Sequence, residues 1–307
     1  MSLSTEPEGS VYDLGYRAYE GVRLGRAHAI LSLYWVSFRG IFGFGRHTSS
    51  KILPFGLAIL ALVPAVIQLT FVALAETVNF DELISPDDYY EFVQWPLALF
   101  VAAVAPELVG RDQRNHTLPL YFSRPLLRGD YVLAKMAALS TALLVMALVP
   151  QAVIFTGNAM AVSDPTDYLR DNWRDVFPIV ASGAMLSLFW SGIALAIGSQ
   201  TDRWPLASGG IVAYFAVSWL LGSLLVNSTD NELFRYSLLI SGFHVVRAFT
   251  LWTFGVTPTP DPMSEENSLV GDLALADVSL YVYALAAAVT VAIALFIVHL
   301  RYRRMAL

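Results

Sequence analysis

The run PELVGRDQRNHTLPLYFSRPLLRGDYVLAK, Pro106 to Lys135, decides how the rest of the chain is read. It is polar and basic, with Arg111, Arg114, Arg124, Arg128 and Lys135, and it lies between two long apolar segments. A basic loop between two membrane-spanning helices stays on the cytoplasmic side. The apolar flanks are therefore expected to be helices entering and leaving a bilayer from one face.

Composition agrees. The 307 residues are 56% hydrophobic and 14% charged, against about 25% charged in a soluble domain. The apolar residues gather in runs of about 20, the length that crosses a bilayer core as a helix. Six spans are expected: 52–75, 92–109, 131–155, 176–199, 205–226 and 278–300. Residues 1–25 form a polar cytoplasmic lead with no apolar core of the secretory type. Residues 26–46 mix Arg26, Arg39 and Arg46 with Tyr34, Trp35 and Phe38, which suits a helix lying in the headgroup interface. The transmembrane domain then occupies 52–300, with a loop at 110–130 and a long outer connection at 227–277. Residues 301–307 form a basic cytoplasmic tail.

Six spans put both termini on one side, and charge tests this. Of the 19 basic residues, Arg170, Arg174, Arg235 and Arg247 fall in segments expected outside, and the other 15 inside. Residues 233–255 are apolar enough to imitate a span. A span there would move Arg301, Arg303 and Arg304 outside, so short amphipathic or re-entrant helices are expected instead. Pro54 is expected in the first turn of span one, where it is harmless, and Pro106 to kink the end of span two.

Chemistry is sparse. The sequence has no cysteine, hence no disulfide and no thiolate site. HExxH and G-x-S-x-G are absent, and the five histidines show no metal-ligand spacing. GFGRHTSSK at 43–51 departs from G-x-x-x-x-G-K-[ST] and follows no strand. No nucleotide site is expected in this chain. The expected span centres carry no ionisable residue, which disfavours an ion-coupled relay. Gln68 and Gln151 are the notable neutral polar residues within spans.

Taken together, the opening stretch and its flanks resemble the membrane subunits of ABC-2-type ABC transporters. Thr117 and Leu118 fill one element of that family's loop pattern, and Ser123, Arg124, Pro125, Arg128, Tyr131 and Lys135 fill the next. His116 stands where the family usually has glycine. The resemblance covers nearly the whole chain. It implies an all-α membrane protein with an N-terminal elbow helix and six spans, of the type V exporter-like architecture. It further implies a permease half paired with a second copy or a related permease. Two copies of a cytosolic ABC ATPase would bind ATP and Mg, with no cofactor in this chain and no enzyme activity of its own. Arg111, Gln113, Arg114, Thr117 and Arg124 would meet that ATPase. Spans one and five would lie near the seam between halves, which makes Gln68, Tyr214 and Trp219 candidate pathway residues. The setting implied is a prokaryotic plasma membrane, multi-pass, with lipid and protein partners and no nucleic acid. A secondary transporter without ATP, a membrane-embedded enzyme and an accessory subunit are the competing readings. The substrate is not legible.

Overall fold

The computed structural model describes residues 21, 24–45, 47–74, 85–123, 126–161, 164–228, 232–259 and 268–304. Arg124 and Pro125 of the loop pattern, Arg17, Arg23, Arg46 and the acidic residues Glu76, Asp81 and Glu82 lie outside them. Among the described residues all regular structure is helical. The helices are α1 (Arg26–Ile41), α2 (Ser49–Leu74), α3 (Pro86–Arg114), α4 (Leu118–Phe122), α5 (Arg128–Ala161), α6 (Pro165–Asn172), α7 (Val176–Gly198), α8 (Trp204–Ser228), α9 (Gly242–Phe254), α10 (Leu269–Ala276) and α11 (Leu280–Arg304). Short 3-10 segments cover Trp173–Asp175 and Glu232–Leu239.

Among the described residues six helical stretches are long and apolar enough to cross a membrane: they are built on α2, α3, α5, α7, α8 and α11. They correspond one for one to the expected spans, with different ends. The helix over 26–46 stops at Ile41, because Gly43 and Gly45 take φ of 72° and 82° in a turn that only glycine enters freely. α2 starts at Ser49, so Pro54 sits beyond the first turn rather than in it, with Pro64 deeper still. α3 is longer than expected at both ends and runs unbroken through Pro96 and Pro106. Its start is well capped: the Ser85 hydroxyl accepts from Asp88 N, Pro86 takes the first position, and Asp87 and Asp88 favour the positive end of the helix dipole.

The centre of the bundle is α3, α5 and α7, which pack on one another. Their apolar windows are 61–72% buried, whereas those of α2, α8 and α11 are 33%, 28% and 22% buried. The outer three therefore carry the lipid-facing or partner-facing surface. α1 lies along α5. The connection at 233–255 is not one straight span. Its 3-10 segment and α9 meet at 89°, and α9 is buried from Gly242 to Leu251. Phe243 of α9 stacks on Trp95 at 4.1 Å between centroids and tilts on Trp190 at 5.1 Å. This aromatic cluster seats α9 inside the helical bundle.

Candidate functional site

The segments expected on the cytoplasmic side meet at one end of the bundle. The opening stretch is less of a loop than its polarity suggests. α3 continues to Arg114, one turn beyond the expected span, and Asn115 closes it. His116 then takes φ 49°, a left-handed conformation that glycine enters most easily. The five-residue α4 follows. Leu118 is buried beneath it, while Leu120 is 68% exposed at the polar tip.

The root of this tip is held by buried polar pairs. Lys135 Nζ lies 2.8 Å from Asp112 Oδ2 and donates to Leu108 O at 3.1 Å. Tyr131 Oη donates to the same Asp112 oxygen at 2.8 Å. Tyr131 packs on Tyr302 of α11 with centroids 5.0 Å apart. Gln113 donates to Ser199 O at 3.2 Å and to Tyr302 Oη at 3.3 Å. Arg301 donates to Ser199 O and Gln200 O. The last carbonyls of a helix have no partner within it, so Gln113 and Arg301 serve α7 as a shared C-terminal cap.

α1 is tied to the same root. Arg26 grips Asp130 through two bonds of 2.8 and 2.7 Å, and Asp130 also accepts from Leu127 N. Asp130 is the third residue of α5, so this is the reach-back half of a capping box. The Asp130 hydrogen bond, with its negative charge, holds the Arg26 guanidinium above its ordinary pKa. Arg128 donates to Arg303 O, which joins the exit of the loop to the end of α11.

The residues expected to meet an ATPase separate accordingly. Gln113 points into the bundle. Thr117 donates to Asp112 O at 3.3 Å. Arg114 bridges Glu107 at 2.9 Å and donates to Asp202 O. Arg111 is exposed and lines a cavity, and its side chain makes no hydrogen bond or ion pair among the described residues. Arg124 lies outside the described residues. Leu120 has no signature in the sequence, because nothing local marks a leucine as exposed; only the fold shows that it stands outside the core.

The candidate pathway residues are likewise dispersed. Gln68 is buried and donates to Asn158 Oδ1 at 3.1 Å, clasping α2 to α5. Tyr214 donates to Ile240 O at 3.4 Å. Trp219 meets Trp95 edge to face at 5.5 Å. Gln151 donates to Pro86 O at 2.6 Å. Gln94, within the second span, is a polar residue that the sequence pattern does not distinguish. It is fully buried and its amide makes no hydrogen bond among the described residues.

At the opposite end, Arg247 of α9 is buried against the start of α3. It lies 2.8 Å from Asp88 Oδ1 and 2.9 Å from Glu91 Oε2, and donates to Asp87 O at 2.6 Å. Nearby, His244 bonds Ser241 Oγ at 2.8 Å and Asp272 Oδ2 at 3.0 Å. That is the order of a Ser-His-Asp triad. Ser241 is wholly buried, however, and packs where a side chain on Gly222 would collide with it. A nucleophile must reach its substrate, so this trio is a structural clasp between α9 and α10. Burial pushes the Asp272 carboxyl up, but hydrogen bonds from His244 and Asn227 outweigh it and hold its pKa below the ordinary value. Among the described residues no group of His, Asp and Glu could hold a metal ion.

Comparison with protein-family models and with curated proteins found no match.

Proposed function

We propose that the chain is the membrane permease subunit of an ATP-driven transporter of the ABC-2 type, moving substrate outward across a prokaryotic plasma membrane. Both termini lie on the cytoplasmic side in this reading. A separate ATPase docks on the tip formed by the end of α3 and α4. The observation that carries the proposal is the construction of that tip. It projects one turn past the expected span, offers an exposed leucine, and is rooted in a buried ion pair and part-buried hydrogen bonds that reach α1, α5, α7 and α11.

A push on such a tip is passed to the whole basic end of the bundle, because the joints beneath it are ion pairs, hydrogen bonds, a shared cap and aromatic contacts. Such coupling requires a partner whose states bind the tip differently. ATP binding and hydrolysis in the partner supply two such states. Leu120 is the apolar anchor of the contact, Arg114 and the left-handed His116 lie beside it, and Gln113 and Thr117 hold the tip in shape. α1 serves as the interfacial elbow. A second permease copy or a related permease completes the pathway against α2 and α8, two of the three sparsely covered helices. Trp219 and Tyr214 stand on α8, whereas Gln68 serves the packing of α2 on α5.

The test is site-specific photocrosslinking from Leu120 in native membranes, with the captured protein identified by its sequence. An ATPase with a Walker A motif is expected, with capture lost in Leu120→Asp. Proton-driven transport by the purified chain alone, without any ATPase, would sink the proposal and favour a secondary transporter.

A further inference from the structure

A cavity of about 490 Å³ opens at the basic end of the bundle. It lies between the end of α1, the first turns of α2, the last turns of α3 and Trp204 at the start of α8. Its floor is one stripe of α3. Ala103, Glu107 and Arg111 line the cavity, and the same four-residue spacing continues outward to Leu99 and Trp95, both exposed. Residues four apart lie on one helix face. α2 and α8 each pack on α3, so they wall this stripe on two sides. Trp204 Nε1 donates to Ala103 O and Ser208 Oγ to Ala102 O, which fixes α8 along its edge. The result is an apolar groove that ends in a polar pocket.

Charge decides what suits the pocket. Glu107 is matched by Arg114 at 2.9 Å. The guanidinium of Arg111, one turn from Glu107, makes no hydrogen bond or ion pair among the described residues. Among the described residues the lining thus has one cation with an uncommitted side chain, joined by Ser50 at the wall. A guanidinium binds phosphate through two parallel N–H bonds. The depth is also right. The pocket lies at the end of the bundle that carries Arg301, Arg303 and Arg304, where headgroups of the inner leaflet would be, and tryptophan favours that level. Above it, Leu53, Leu99 and Leu206 are more than half exposed and offer an apolar path for an acyl chain.

We propose that this groove is a binding site for an anionic phospholipid, with its phosphate on Arg111 and one chain laid along Leu99 between α2 and α8. The inference needs the bundle to lie in a bilayer and does not depend on an ATPase partner.

The test is native mass spectrometry of the full-length chain purified without any ATPase, offered equal amounts of phosphatidylglycerol and phosphatidylcholine. Preferential retention of phosphatidylglycerol is expected. Arg111→Gln should lower that retention about tenfold, the effect of losing a charged hydrogen bond. Ala103→Phe, which fills the groove and leaves Arg111 in place, should lower it similarly. Arg304→Gln, at the exposed end of α11, should leave it unchanged. Equal retention of the two lipids would overturn the proposal, as would equal loss in Arg304→Gln, which would mean general surface charge. Displacement of the lipid by millimolar inorganic phosphate would reduce the pocket to a plain anion site. A dimer without bound lipid, broken by Ala103→Phe, would assign the groove to a second copy of the chain.

Discussion

Lys135 of α5 and Asp112 of α3 form a buried ion pair of 2.8 Å directly beneath the exposed tip. Both residues are 9% exposed or less. Removing one member of such a pair strands the other charge and costs about 3–5 kcal/mol, whereas replacing both with apolar groups is often neutral. Lys135→Met should therefore lower the unfolding midpoint in detergent sharply. Lys135→Met combined with Asp112→Leu should recover most of the loss. A double variant as unstable as the single one would show that the Leu108 and Tyr131 contacts, not the pairing of charges, hold the root.

Gly157 of α5 packs tightly against Leu69 of α2. A Cβ on Gly157 would fall 2.1 Å from Leu69 Cδ2. Small residues are what let membrane helices approach so nearly. Gly157→Ala should destabilise by about 1–3 kcal/mol, the usual cost of overpacking, and weaken the adjacent Gln68–Asn158 bond. Adding Leu69→Ala should restore the midpoint, since the obstacle is a side chain rather than backbone. Failure of that rescue in a thermal unfolding assay would place the strain elsewhere.

Arg247 should control how firmly α9 is held. It is 2% exposed and faces Asp87, Asp88 and Glu91. Arg247→Met would leave Asp87, Asp88 and Glu91 without their guanidinium partner, at a cost of about 1–3 kcal/mol because water reaches Asp88 and Glu91. Arg247→Lys keeps the charge but loses the forked geometry and should fall between. Hydrogen exchange across α9 reads this directly: amide protection should drop in Met, partly in Lys, while α5 stays protected. Uniform loss along the chain would mean general unfolding instead.

The spans are legible in the sequence because each is a run of apolar residues of a fixed length, and that property needs no neighbour. Their ends are not. α3 outruns its apolar stretch because Arg111 and Gln113 remain good helix formers and because Ser85 and Pro86 start it early. Pro106 leaves that helix continuous, held within the packed contact of α3 with α7. The break within 233–255 follows from Arg247 and His244, whose burial demands partners; which partners, Asp88 and Asp272 among them, depends on contacts across 28 to 159 residues. At the basic tip, type and position diverge most. Arg111, Gln113 and Arg114 read alike as polar residues of one loop. Turning about 100° per residue, the helix sends one to a cavity, one into the core and one to a salt bridge.

The clasp between α9, α10 and α8 gives a pH dependence with a definite sign. Asp272 accepts from Asn227 at 2.7 Å and pairs with His244 at 3.0 Å. Its pKa in the fold is lowered, while in the unfolded chain it returns to about 3.9. A depressed carboxylate stabilises the fold above the unfolded value, and that contribution disappears as pH falls through the lower folded value. The stability difference between the native chain and Asp272→Asn should thus be steady from about pH 5 to 8 as far as the carboxylate is concerned. It should shrink only below about pH 4. Paired unfolding curves over this range check it. A difference that already changes well above about pH 5 would show that the Asp272 carboxylate does not control the clasp.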